Sequence, residues 1–197
     1  KGEKKYIKIN GRKTLRPLNI KVPGDPSSAA FFTALTLLNE KSFLLIKNVG
    51  LNQTRIGFYK LLQKHGAKII LKNLKRNNNE VFGDIFIKSS SIKPITASKK
   101  YYVNSTDEYP ILFVIAALTK GVSTFKGIKD LANKESNRIK EMQKILRQLG
   151  VKSFASSNSI KIKGVGMIDA KDKKIDVPKL GDHRICMSAF ILGVLTG

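Results

Sequence analysis

Three stretches of the chain share one pattern, an Asp followed by a long apolar segment with helical spacing. They begin at Asp25, Asp107 and Asp182. Two glycine-led segments, Gly66-Ala67-Lys68 and Gly150-Val151-Lys152, lie about 84 residues apart, close to the spacing between the first two Asp residues. Such self-similarity indicates that one supersecondary unit has been copied along the chain.

The predicted order of elements within the unit is helix, strand, helix, strand, strand. In the first copy, Asp25 is the N-cap of a helix and Pro26 is its first residue, where proline is favoured. Gly66 ends the second helix. The two copies are predicted to contain helices over residues 26–38, 54–65, 107–118 and 135–149 and strands over residues 42–49, 67–71, 81–87, 122–125, 151–154 and 160–162.

The ends of the chain lie outside these two copies. Residues 6–9 and 19–22 alternate apolar and polar side chains, which predicts half-buried strands. The third copy begins at Asp182 and contains only its first helix before residue 197. Because that helix lacks the strands that it would pack against, we expect the chain to be a fragment of a longer protein.

Composition sets limits on the class of protein. With 197 residues, 42% of them hydrophobic, the chain can bury the core of one domain, or of one domain and part of another. No apolar run approaches the roughly 20 residues of a membrane helix, so we expect a cytoplasmic protein without a membrane partner. Cys186 is expected to be a buried, inert thiol, and the two histidines, His65 and His183, are too few for a metal site of known spacing.

The net charge of +23 comes almost entirely from Lys residues that are spread along the chain. A charge of this size raises nucleic acid as a partner. However, Arg, the better fork for bases and phosphates, is scarce, and aromatic residues are not interleaved with the basic ones. We therefore expect a solvated basic surface, a small anionic substrate and no nucleic acid, while a basic nucleic-acid-binding module stays open as an alternative.

Clusters of ionisable residues occur at or near the starts of three predicted helices. They are Asp107-Glu108, Lys134-Glu135-Ser136-Asn137-Arg138 and Asp182-His183-Arg184. Helix N-termini attract anions, and arginine forks suit carboxylate or phosphate, so the clusters predict an anion site. Asp107 and Glu135 are candidates for proton transfer. Taken singly, each acid is also explained as a helix cap or a first-turn acid.

The clusters resemble successive motifs of one enzyme family. The motifs are Gly24-Asp25-Pro26-Ser27-Ser28, Asp107-Glu108-Tyr109-Pro110, Lys134-Glu135-Ser136-Asn137-Arg138 and Gly181-Asp182-His183-Arg184. In this order they are similar to the motifs of the 5-enolpyruvylshikimate-3-phosphate synthases. The resemblance implies a 3-phosphoshikimate 1-carboxyvinyltransferase, which transfers enolpyruvyl from phosphoenolpyruvate to the 5-hydroxyl of shikimate 3-phosphate and releases phosphate, a step towards chorismate and the aromatic amino acids. It implies no metal and no organic cofactor. The related transferase that acts on UDP-N-acetylglucosamine is an alternative.

The same resemblance implies an α/β fold, the enolpyruvyl transferase-type inside-out α/β barrel built from repeated βαβαββ units. Members of the family have two similar domains with helix N-termini facing the cleft between them. Residues 1–22 would be the end of the N-terminal domain and the crossover, and residues 23–197 a C-terminal domain truncated at its C-terminal end. Because other phosphate-binding residues belong to the missing N-terminal domain, the chain alone is expected to be inactive and to act as a monomer with that domain.

Residue roles also follow from the resemblance. Asp107 would contact the shikimate ring hydroxyls and take the proton from the attacking one, while Lys134 would contact shikimate 3-phosphate near it. Glu135 would take part in proton transfer at the methylene of phosphoenolpyruvate. Arg138 and Arg184 would hold the carboxylate and phosphate of phosphoenolpyruvate, with His183 beside them. The implied catalytic residues are Asp107, Glu135 and Lys134, and the implied substrate-binding residues are Asp107, Lys134, Arg138, His183 and Arg184.

Overall fold

The computed structural model describes residues 6–15, 17, 19, 21–77, 80–178 and 181–197. The elements of the first copy are α1 (Pro26–Leu38), β1 (Phe43–Gly50), α2 (Gly57–Lys64), β2 (Lys68–Asn77) and β3 (Glu80–Lys88). Those of the second are β4 (Thr96–Ala97), α3 (Lys99–Val103), α4 (Tyr109–Ala117), β5 (Gly121–Lys126), α5 (Arg138–Gln148), β6 (Lys152–Ala155) and β7 (Ser159–Gly164). Two 3-10 turns, Thr106–Glu108 and Lys129–Asn133, precede α4 and α5, and α6 (His183–Thr196) belongs to the third copy.

The two sheets have the same topology, which confirms the predicted repeat. The first has the strand order β1, β3, β2, and the second has the order β4, β5, β7, β6. In the second sheet β4 is parallel to β5, and the remaining neighbours in both sheets are antiparallel. A parallel bridge between Gly24 and Val49 of β1 occupies the place in the first copy that β4 has in the second.

Helices α1, α4 and α6 contact one another in the interior of the chain. Every residue of α4 is buried, and its sequence is apolar on all sides, as an enclosed helix requires. Helices α2 and α5 are amphipathic, burying Leu61 and Leu62 in the one and Met142 and Ile145 in the other. Among the described residues, no helix has both the length and the apolar character needed to cross a membrane.

Two sequence-based expectations are wrong in the described part of the chain. Residues 6–9 form no strand, and the side chains of Tyr6, Ile7 and Ile9 are exposed. No strand among the described residues pairs with this segment, so the alternation of side chains is not stabilised by a ladder. In the other predicted strand, residues 19–22, Ile20 lies outside the described residues and the remainder is not in a strand. Cys186 is also exposed, because it lies on the outward face of α6 rather than towards α1 and α4.

The starts of two helices differ from the prediction in a way that matters for the site. Asp107 lies in the 3-10 turn before α4, and no side-chain hydrogen bond caps either element. Helix α5 begins at Arg138, since the side chain of Asn137 accepts the backbone N–H of Lys140 at 3.1 Å and acts as its N-cap. Glu135 therefore precedes the helix. The carboxylates of Asp107 and Glu135 are thus left available for other partners.

Gly164, at the end of β7, lies where the second sheet meets the end of α4. A Cβ at this position would be 1.9 Å from the carbonyl oxygen of Thr119 and 2.1 Å from that of Ala116. We expect Gly164→Ala to lower the free energy of unfolding by about 3 kcal/mol, because backbone must move to admit the methyl group. In the matched control, a Cβ at Gly193 in α6 meets nothing within 4 Å, and Gly193→Ala should stabilise the helix by about 1 kcal/mol. Thermal unfolding of both variants tests this, and equal stabilities would contradict it.

Candidate active site

Arg138, the first residue of α5, lies at the centre of the site and joins three carboxylates. Its side chain is 1% exposed. Nε donates to Oδ2 of Asp182 at 3.0 Å, Nη1 donates to Oδ1 of Asp107 at 3.2 Å, and Nη2 donates to Oε2 of Glu135 at 2.6 Å. Burial disfavours the charged guanidinium, but the hydrogen bonds and charges of these acids outweigh it and raise the pKa of Arg138. The three acids come from separate segments, so Arg138 fixes these segments to one another.

Asp182 is the fully buried partner in this group. It is the N-cap of α6, where it accepts the backbone N–H of Arg184 at 3.1 Å, and it also accepts the hydroxyl of Ser136 at 2.8 Å. Burial alone would raise the pKa of Asp182, but the hydrogen bonds from Arg138 and Ser136 and the charge of Arg138 hold it below its usual range. Asp182 is therefore an ionised group that orients the starts of α5 and α6.

Asp107 and Glu135 differ from Asp182 because they reach the surface of the site. Their side chains are 41% and 52% exposed. Each accepts a single hydrogen bond from Arg138. Because neither carboxylate caps a helix, another partner can replace Arg138 without loss of a helix cap. Carboxylates that are both anchored and accessible have the geometry expected of groups that accept or donate a proton.

Arg184, in the first turn of α6, lies near acids of both the first and the second copy of the unit. Its Nη2 is 3.7 Å from Oδ2 of Asp107 and 3.9 Å from Oδ2 of Asp25, and its side chain is 12% exposed. Asp25 caps α1 by accepting the N–H groups of Ser27 and Ser28. The starts of α1, α4 and α6 therefore meet around two arginines. The sequence predicted that the starts of α4, α5 and α6 would meet, and the anion site stays a prediction.

Lys134 and His183 lie at the edge of this arrangement. Lys134 is exposed and lines a cavity of about 240 Å³ together with Asp107. His183 is the first residue of α6 and is exposed. A larger cleft, of about 710 Å³, lies at the opposite ends of α1 and α4, but none of the residues in the three clusters lines it. Among the described residues, no group of three His, Cys, Asp or Glu side chains is arranged to hold a metal ion.

Three further residues, for which no role was predicted, also belong to the site. Arg55 donates to Oδ1 of Asp25 at 3.2 Å and to the hydroxyl of Ser27 at 3.0 Å. Glu108 is 3% exposed and faces the same cavity as Asp107. A comparison of the two copies could have found Arg55, because it precedes α2 in the first copy much as Arg138 begins α5 in the second. Ser27 gave no signal beyond that of a helix start.

Comparison with known proteins shows the family of the chain. The family model described as EPSP synthase (3-phosphoshikimate 1-carboxyvinyltransferase) matches residues 1–197. The chain belongs to the EPSP synthase family. A protein of Zymomonas mobilis named 3-phosphoshikimate 1-carboxyvinyltransferase is 37% identical over 194 residues, which are 98% of this chain and 43% of that protein. One of the same name from Thermodesulfovibrio yellowstonii is 41% identical over 182 residues, 92% of this chain and 41% of that protein.

Solved structures give the same result for the fold. The EPSP synthase of Acinetobacter baumannii superimposes with a TM-score of 0.83 at 32% identity, over 91% of this chain and 41% of that one. The enolpyruvyl transferase NikO of Streptomyces tendae has a TM-score of 0.57 at 11% identity, over 86% of this chain and 36% of that one, and supports the fold alone. The chain thus has the α/β fold of the enolpyruvyl transferases. It spans less than half the length of the EPSP synthase relatives that it matches.

Proposed function

We propose that the protein containing this chain is a 3-phosphoshikimate 1-carboxyvinyltransferase that uses shikimate 3-phosphate and phosphoenolpyruvate. The observation that supports this most strongly is the convergence of Asp107 and Glu135 on Arg138, with Arg184 beside them, in a member of the EPSP synthase family. Two anionic substrates need concentrated positive charge, and an addition followed by an elimination needs a proton acceptor and a proton donor.

In the proposed reaction, the 5-hydroxyl oxygen of shikimate 3-phosphate bonds to C2 of phosphoenolpyruvate. Its proton passes to Asp107, and C3 of phosphoenolpyruvate gains a proton from Glu135. The resulting tetrahedral intermediate then loses a proton from C3 to Glu135 as the bond from C2 to the phosphate oxygen breaks. Enolpyruvyl remains on the acceptor, inorganic phosphate leaves with the proton from Asp107, and the two carboxyls return to their initial protonation states.

The cations have separate tasks in this proposal. Lys134, exposed at the cavity that Asp107 also lines, contacts shikimate 3-phosphate near the reacting hydroxyl. Arg184 and Arg138 hold the carboxylate and phosphate of phosphoenolpyruvate, with His183 beside Arg184. Because three carboxylates enclose Arg138, an incoming anion must displace Asp107 or Glu135 from one of its N–H groups. The displaced carboxylate is then free for proton transfer.

We propose further that residues 1–22 are the end of an N-terminal domain and its crossover and that residues 23–197 are most of a C-terminal domain. The matched relatives support this, since each is more than twice as long as the matched region. The complete two-domain protein would act as a monomer, and the isolated chain, which has half of the site, would not turn over. Its cytoplasmic location stays a prediction from composition.

Release of inorganic phosphate from phosphoenolpyruvate tests the proposed function. The complete protein is assayed with shikimate 3-phosphate, with UDP-N-acetylglucosamine and with no acceptor, and the isolated chain serves as a further control. We expect release only with the complete protein and shikimate 3-phosphate. Release with UDP-N-acetylglucosamine instead would assign the other transferase activity, and release with neither acceptor would overturn the proposal.

A further inference from the structure

Glu108 is a buried acid to which the proposed reaction gives no role. It follows Asp107 in the 3-10 turn before α4, and it is 3% exposed. None of the ion pairs formed by the described residues includes it. Burying an ionised carboxylate without a paired cation costs folding free energy. A neutral side chain at this position would avoid that cost if the residue had only a structural role.

The carboxyl group of Glu108 shares a cavity with residues of the proposed site. The cavity has a volume of about 240 Å³. Its wall contains Asp107 and Lys134, which the proposed function places against shikimate 3-phosphate, and also Ser27 and Arg55. A charge on Glu108 would therefore act on an anion that enters this cavity beside Asp107.

The groups around Glu108 have opposing effects on its charge. They are Asp25 and Ser27 of the α1 start, Arg55 before α2, Tyr59 of α2, Asp107 of its own turn and Lys134 before α5. Burial, reinforced by the charge of Asp107, raises the pKa of Glu108, while the Ser27 hydroxyl and the charge of Arg55 oppose the rise. Since Arg55 donates to the Ser27 oxygen, the Ser27 hydroxyl hydrogen is free to be donated to Glu108.

We propose that Glu108 is a positioning residue that takes up a proton from solvent when an anionic substrate enters the cavity beside Asp107 and Lys134. The inference rests on the proposed function, because it assigns shikimate 3-phosphate to this cavity. An ionised Glu108 would repel that substrate, whereas a neutral Glu108 leaves beside the cavity, among the described residues, only carboxylates that already have a cation, Asp107 with Arg138 and Asp25 with Arg55. Neutral Glu108 can also donate a hydrogen bond and keep the turn that carries Asp107 against the start of α1.

The pH dependence of KM for shikimate 3-phosphate tests this in the complete protein. The Glu108→Gln variant has a side chain of nearly the same shape that is neutral at every pH. The ratio of the wild-type KM to the variant KM cancels the titration of the substrate phosphate, which both proteins experience. Across the pH range in which the complete protein stays folded, we expect the ratio to rise with pH, from near one where Glu108 is neutral to about tenfold where it is ionised, and the two kcat profiles to keep the same shape.

A KM ratio that does not change with pH would overturn the proposal. A Glu108→Gln variant with a lowered kcat at every pH and an unchanged KM would also overturn it. Ser27→Ala gives a second test in case Glu108→Gln fails to fold. The Ser27→Ala variant lacks the hydroxyl that stabilises ionised Glu108, so its KM should rise at a higher pH than the KM of the wild type. A rise at the same pH in both proteins would count against the role of Glu108. If the wild-type protein transfers no enolpyruvyl to shikimate 3-phosphate, the proposed function fails. If it does so and the ratio is flat, only the role of Glu108 fails.

Discussion

Asp107→Asn in the complete protein is expected to lower kcat by about 10³-fold, with only a small change in stability. Asparagine keeps the shape and an accepting oxygen for Arg138, but it cannot take the proton of the attacking hydroxyl, and a positioned general base contributes about 10²- to 10⁴-fold. Asp107 caps no helix, and its side chain is 41% exposed, so few folded-state contacts depend on its charge. Steady-state phosphate release with saturating substrates measures the effect.

The matched control for this prediction is Asp172→Asn. Asp172 is an exposed residue in a turn next to Ala170, whose N–H donates to Thr196 at the C-terminal end of α6. It lies at the opposite end of that helix from Asp182, so its charge should not affect the reaction. A kcat near the wild-type value for Asp107→Asn would mean that another group accepts the proton. A comparable loss in Asp172→Asn would mean that the effect is not local.

Arg138→Leu is expected to cost about 4 kcal/mol of local stability at neutral pH and to abolish transfer. The substitution leaves Asp107, Glu135 and Asp182 close together without their shared cation, and breaking a buried ion pair by removing one partner typically costs about 3–5 kcal/mol. Hydrogen exchange of amides in α5 and α6 reports the free energy of opening these segments in the complete protein. Arg55→Leu is the matched control, because its ion pair with Asp25 is about half exposed and should contribute less than about 1 kcal/mol.

The cost of Arg138→Leu should depend on pH in a definite direction. Arg138 holds the pKa of Asp182 below its usual range, so their interaction stabilises the fold fully above the ordinary carboxyl pKa of about 3.9. That contribution is lost as the pH falls through the lowered pKa of the folded state. The difference in opening free energy between wild type and Arg138→Leu should therefore shrink on acidification. Equal costs for Arg138→Leu and Arg55→Leu, or a difference independent of pH, would contradict the central position of Arg138.

The sequence predicted the repeat and most of its elements because the relevant signals are local. Asp25 and Pro26 define the start of α1, and the uninterrupted apolar run after Tyr109 predicts an enclosed helix. The start of α5 was misplaced because Glu135 is an acceptable first-turn residue, and only the cap formed by Asn137 decides that the helix begins at Arg138. The alternating residues 6–9 have no strand beside them, and a sequence pattern alone cannot supply the partner strand.

For the site, the sequence predicted which clusters would meet but not how their side chains pair. The repeat brings the starts of α1, α4 and α6 together, as the geometry around Arg184 shows. That Arg138 is enclosed by three acids depends on contacts between segments up to 44 residues apart, which no local pattern encodes. Arg55 was missed, and Glu108 was noted only as a member of the Asp107 cluster, for a related reason: single charged residues carry no periodicity, and their importance comes from burial and neighbours.

The most direct test of this account is the stoichiometry of the reaction, followed by phosphorus and proton NMR of one mixture of the complete protein, phosphoenolpyruvate and shikimate 3-phosphate. We expect phosphoenolpyruvate to be converted to inorganic phosphate in a one-to-one ratio with a new vinyl ether on the acceptor, whose own phosphate is retained. Inorganic phosphate that appears without loss of shikimate 3-phosphate would show hydrolysis rather than transfer, and would contradict the assignment of Asp107 as the base for an attacking 5-hydroxyl.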